Sequence, residues 1–337
     1  VPATHFIQGF SMFVASALLI IGLILLAYGA DRLVFSAAIL CRSFGIPPLI
    51  IGMTVVSIGT SLPEMILSFS AAQHGQMDLA VGTALGSNIT NILLILGGAA
   101  LLHPLNIYSN LVRRELPLML LVSLLSGLML FDNYLSRLDG LGLIAIAIVY
   151  LLVAIRFARR AERDNSDTLT REQLAELPRE ESGNTVAFLW LAVALIILPM
   201  ATRMVIDNAT AFADYFGVSE LVMGGTLIAV GTSLPELATV LAGALKGEDD
   251  IAIGNLIGAN IYNIAIVLGL PALINPGSVD EHAFARDYWV MLGVSVLFAL
   301  LCLQRSRRIG RVAGAFLLCG FIVWGALLWI QPAFIDG

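Results

Sequence analysis

The stretches GMTVVSIGTSLPE (residues 52–64) and GTALGSNITNILLILG (82–97) recur 172 residues later as GGTLIAVGTSLPE (224–236) and GNLIGANIYNIAIVLG (254–269). Aligned without a gap, 20 of the 46 positions are identical, and most of the identities are Gly, Thr, Ser, Pro, Glu or Asn. An apolar background does not produce such matches by chance, so the chain reads as two copies of one unit. Each copy carries one glutamate, Glu64 or Glu236, deep inside an apolar run. The other acids fall in loops or near the ends of apolar runs.

Composition sets the medium around these copies. Of 337 residues 58% are hydrophobic and 12% charged, about half the charge a water-facing domain carries. The chain is therefore an all-α polytopic membrane protein, with no residues left over for a soluble domain. Apolar runs of membrane-spanning length fall near 10–30, 46–72, 79–102, 116–131, 138–155, 186–203, 218–245, 251–274, 288–303 and 312–330, ten transmembrane helices in all. The N-terminus has no basic region or early cleavage site and is not read as a signal peptide. Cys41, Cys302 and Cys319 lack CxxC spacing, which indicates buried thiols.

Fifteen of the 18 bases lie in odd-numbered connections, and only Arg137, Arg203 and Arg286 lie in even-numbered ones. Positive residues stay in the cytoplasm, which puts both termini outside. Five spans per copy is an odd number, so the second copy enters the membrane from the opposite face. The expected organisation is an N-terminal five-helix repeat (1–155), a cytoplasmic linker (156–185) and a C-terminal five-helix repeat (186–337). Within the linker, residues 170–177 have the signals of a short helix ending before Pro178. Inverted repeats place their substrate site at the midplane, on interrupted helices.

Pro63 and Pro235 lack an N–H and disfavour helix just before them, so spans 2 and 7 break within GTSLP. Ser61 and Ser233 stand three residues before their Glu, the spacing of a capping box. A break at membrane depth frees carbonyl oxygens that must line a polar cavity. Carbonyls near Ser57, Thr60, Ala229 and Thr232, hydroxyls of Thr60, Ser61, Thr232 and Ser233, and two carboxylates together form an all-oxygen cage suited to Ca2+ or Na+. Two carboxylates at this depth need a cation or a proton.

On the following span of each copy, Asn88 and Asn91, like Asn260 and Asn263, share a helix face. Asn88 and Asn260 read equally as ligands or as glue between helices. Asn91 and Asn263 read as ligands, with Ser87 one turn from Asn91. Gly82, Gly86, Gly254 and Gly258 form small-residue stripes that permit close packing. No intramembrane His, Lys or Asp offers a nucleophile and base, so an enzyme is not expected. No cofactor, nucleic acid or protein partner is indicated either; the expected partners are Ca2+, Na+ or H+, and membrane lipid.

At GTSLPEM with GSNITN and GTSLPEL with GANIYN, the sequence resembles the calcium/cation antiporter superfamily, which contains the sodium/calcium exchangers. The resemblance covers essentially the whole chain. It implies a secondary active antiporter in a bacterial inner membrane, exchanging Ca2+ for Na+ by alternating access, with a Ca2+/H+ antiporter as the alternative. Glu64 and Glu236 would hold Ca2+ with the Thr60 and Thr232 carbonyls. Flanking Na+ sites would use the Ser57 and Ala229 carbonyls, Ser61, Ser233, Ser87 and Asn91. Two departures stand out. Ala259 replaces the Ser of the family's GSN, and Asn263 sits where several members have Asp, which implies a weakened Na+ site and no K+ requirement.

Overall fold

The computed structural model describes residues 2–46, 48–107, 112–163, 183–215, 229–304 and 307–330. It is mostly helical. In chain order the helices are α1 (Pro2–Phe44), α2 (Gly52–Thr60), α3 (Leu62–Gln73), α4 (Met77–Leu102), α5 (Val112–Leu130), α6 (Arg137–Arg163), α7 (Asn184–Tyr215), α8 (Ala229–Thr232), α9 (Leu234–Lys246), α10 (Asp249–Ile274), α11 (Ala283–Leu303) and α12 (Arg311–Ile330). Among the described residues six helices are long and apolar enough to cross a membrane, and a seventh is counted if α2 and α3 form one bent span. Two further apolar helices, Glu115–Leu130 and Arg311–Leu327, are shorter. The middle of the expected linker, with its short helix, and the start of the expected seventh span lie outside the described residues.

The apolar faces decide the layering. α4 and α10 are buried over 83% and 78% of their most apolar windows, whereas α1, α6 and α7 are buried over 28% of theirs. A helix apolar all round belongs inside, so α4 and α10 are the central pair. Large side chains such as Phe13, Leu128, Leu138, Val312 and Ile322 face outward, where lipid replaces water. α1 and α7 share a second buried cluster, in which Gly22 and Gly29 let the two helices close on Val205 and Leu198.

α1 runs on past the expected end of the first span, through Asp31 and Arg32 to Phe44. The charges are met where they fall. Asp31 pairs with Arg32 at 2.6 Å and with Lys246 of α9 at 2.8 Å. The Arg32 guanidinium lies against the rings of Phe35, Trp190 and Tyr28.

Two small antiparallel clips join connections that are distant in sequence. β1 (Leu105–Asn106) pairs with β4 (Arg308–Ile309), and β2 (Tyr134–Leu135) pairs with β3 (Gly277–Ser278). β1 and β3 are 172 residues apart, each following the end of a central helix. Helix contacts repeat in the same way. A Cβ on Gly314 of α12 would stand 2.7 Å from the Gly97 carbonyl of α4, and one on Gly140 of α6 would stand 2.9 Å from the Gly269 carbonyl of α10.

Candidate cation site

The site forms where two helix breaks meet. In a continuous helix the carbonyls of Gly59 and Gly231 would each take the N–H four residues on, but those positions are Pro63 and Pro235, which have none. The chain breaks at Ser61 (φ −81°, ψ 8°) and at Ser233 (φ −86°, ψ 8°), nearly the same geometry twice. At the first break α2 and α3 are bent by 52°. α3 and α9 then start with their glutamate in the first turn, where the helix dipole favours a negative charge.

Neither serine caps its own helix. Ser61 Oγ instead donates to Glu236 Oε1 at 2.9 Å, and Ser233 Oγ donates to Glu64 Oε1 at 3.3 Å. The threonine side chains lie near the same opposite glutamates, Thr60 by Glu236 and Thr232 by Glu64. Each carboxylate is thus held by hydroxyls of the other copy. Glu64 is fully buried and Glu236 is 1% exposed, and the Oε2 atom of each has no hydrogen-bond partner. Two buried carboxylates with free oxygens are costly unless a cation or proton joins them.

Other oxygen-bearing residues of the expected ligand set are buried as well. Thr60, Thr232, Ser57 and Ser87 are buried, and the Ser87 hydroxyl is unpartnered. The Ser57 carbonyl accepts the Ser61 N–H at 3.0 Å and the Thr60 hydroxyl at 3.3 Å, so its ladder bond survives the break. Ala229 opens α8. Among the described residues no three His, Cys, Asp or Glu side chains converge on one point. The charge of the site therefore comes from two carboxylates, a donor set for a hard cation.

The four motif asparagines divide. Asn88 Nδ2 donates to the Asn260 carbonyl at 3.1 Å, and Asn91 Nδ2 reaches Asn260 Oδ1 at 3.4 Å. Asn88 and Asn260 accordingly bind the central helices together. Asn88 and Asn91 each keep an unpartnered Oδ1, and both polar atoms of the fully buried Asn263 are unpartnered. Asn91 and Asn263 each open a π-helical turn, 91–96 and 263–268, the kind of widened turn that recurs at functional sites. Among the glycines of the expected stripes, Gly258 is in close contact. A Cβ there would stand 2.5 Å from the Met53 carbonyl and against Ser57 Oγ, whereas Gly82 faces open space.

Sequence reading missed Asn255, whose Oδ1 lies 3.1 Å from Thr60 Oγ1. A lone amide between Gly254 and Leu256 in an apolar stretch was the available signal.

The family model described as sodium/calcium exchanger protein matches residues 14–156 and 186–330. The chain belongs to the sodium/calcium exchanger family. Both matched segments contain a break and its glutamate. This exchanger is 64% identical to inner membrane protein YrbG of Escherichia coli (strain K12) over 326 residues, 96% of this chain and 100% of that one. It is 43% identical to the putative antiporter CaxA of Alkalimonas amylolytica over 94% of this chain and 99% of the relative. Among solved structures it resembles the sodium-calcium exchanger NCX_Mj soaked with Na+ and Sr2+, with a TM-score of 0.78, 28% identity and coverage of 93% of this chain and 97% of that one. It is therefore an antiporter of the membrane, built for exchange and not for catalysis.

Proposed function

We propose that the chain exchanges Ca2+ for Na+ across the bacterial inner membrane by alternating access, with the cation held between Glu64 and Glu236. The crossed pair of buried carboxylates carries this reading. One Ca2+ neutralises the pair, as do two Na+ or two protons, and only a neutral site crosses the low-dielectric interior readily. Return without cargo would move two adjacent negative charges, so exchange is favoured over leak. The carbonyls of Thr60 and Thr232 complete the Ca2+ shell. Ser57, Ala229, Ser61, Ser233, Ser87, Asn91 and Asn263 supply oxygens for the flanking Na+ positions.

The reading takes the chain as ten spans in two inverted repeats, 1–155 and 186–337, with 156–185 and the basic connections inside and both termini outside. Matched breaks, matched π-turns and the exchanged clips and glycine contacts all support a pseudo-twofold relation.

The test is 45Ca2+ uptake into proteoliposomes with Na+, K+ or H+ gradients imposed one at a time. A Na+ gradient should drive uptake, and Glu64→Gln or Glu236→Gln should abolish it. Uptake that follows a pH gradient without Na+ would establish the Ca2+/H+ alternative. Full uptake in either mutant would sink the site assignment.

A further inference from the structure

Asn255 lies on α10, wholly buried, with Oδ1 3.1 Å from Thr60 Oγ1 and Nδ2 without a partner. The two ends of an amide side chain are assigned from the hydrogen bonds around them. With Oδ1 on Thr60, a single hydroxyl proton serves two acceptors, Asn255 Oδ1 and the Ser57 carbonyl at 3.3 Å. A buried NH2 is then unsatisfied. Turning the amide by 180° resolves this. Nδ2 then donates to Thr60 Oγ1, and the Thr60 proton is left to the Ser57 carbonyl. One carbonyl oxygen is left unpaired in place of an NH2, which is the cheaper arrangement.

We propose that Asn255 is a positioning residue of the cation site, donating to Thr60 so that Thr60 is held in place at the helix break. The inference rests on the Glu64–Glu236 pair being the cation site. It also makes the two halves unequal. The residue matching Asn255 in the first copy is Thr83, whose hydroxyl is spent on the Leu79 carbonyl of its own helix at 2.7 Å. Thr232 therefore receives no such donor from Thr83. The break at Thr60 is thus backed by an amide at a position where the other copy carries Thr83.

The experiment is 45Ca2+ binding to the purified full chain, read as half-saturating Ca2+, in a double-mutant cycle. Asn255→Ala should weaken binding by about tenfold or more, as loss of a partner behind a metal ligand generally does. Asn255→Leu, which fills the same space without a donor, should do the same. Thr60→Val keeps its carbonyl and removes the hydroxyl. Adding Asn255→Ala to it should cause no further loss, whereas in a Thr232→Val background the losses should multiply. Wild-type half-saturation in Asn255→Ala or Asn255→Leu overturns the inference, and so does multiplication with Thr60→Val. A purely packing role would lower the yield of folded protein and leave half-saturation unchanged, which also overturns it. A wild-type chain with no saturable Ca2+ binding overturns the functional reading, and this inference with it.

Discussion

Ala259, fully buried on α10, occupies the position that Ser87 holds on α4. Ser87 offers an unpartnered hydroxyl where Ala259 offers a methyl group. Restoring the oxygen with Ala259→Ser should raise apparent Na+ affinity by about tenfold, the value of one hydrogen-bonding oxygen to a charge, while half-saturating Ca2+ moves less. Na+ competition against 45Ca2+ binding measures both. At this scale the glutamates were plain in the sequence, because a carboxylate in an apolar run has no bland explanation. Asn255 was not, because a search for identities between the two copies cannot see a residue that matters through its difference from Thr83. For Ser61 and Ser233 the sequence offered two roles, a cap on their own helix and a hydroxyl turned to the site. Spacing along one helix suggests a cap, but both hydroxyls found a stronger acceptor across the molecule.

The helix breaks at Ser61 and Ser233 could be read directly, since proline removes a donor wherever it stands. The π-turns at Asn91 and Asn263 could not. A widened turn has no residue signature and arises from how α4 and α10 pack on their neighbours. The continuation of α1 past Asp31 was hidden because its partner, Lys246, is 215 residues away. Close contacts between helices give a sharp prediction. Gly314→Ala would drive a methyl group to 2.7 Å from Gly97 O and Leu101 N, an overpacking cost of about 1–3 kcal/mol. Thermal unfolding in detergent should show a lowered midpoint. Gly98→Ala, which meets nothing within 4 Å, should leave the midpoint unchanged.

For the whole molecule, the 15 to 3 division of basic residues predicts orientation. Alkaline phosphatase fused to the C-terminus should be active in the periplasm, and a fluorescent protein fused there should stay dark. A cysteine at Arg171 should react with an impermeant maleimide only after the cells are opened. The reverse pattern would invert the proposed topology. The crossing of hydroxyls and carboxylates has a further consequence for how the molecule must be made. Each half encodes a buried acid whose donors are encoded by the other half, so neither is a finished protein. Produced alone, residues 1–155 or 186–337 should be degraded. Produced together as two chains, they should recover Ca2+ binding, since the working unit is the seam between them and not the polypeptide that joins them.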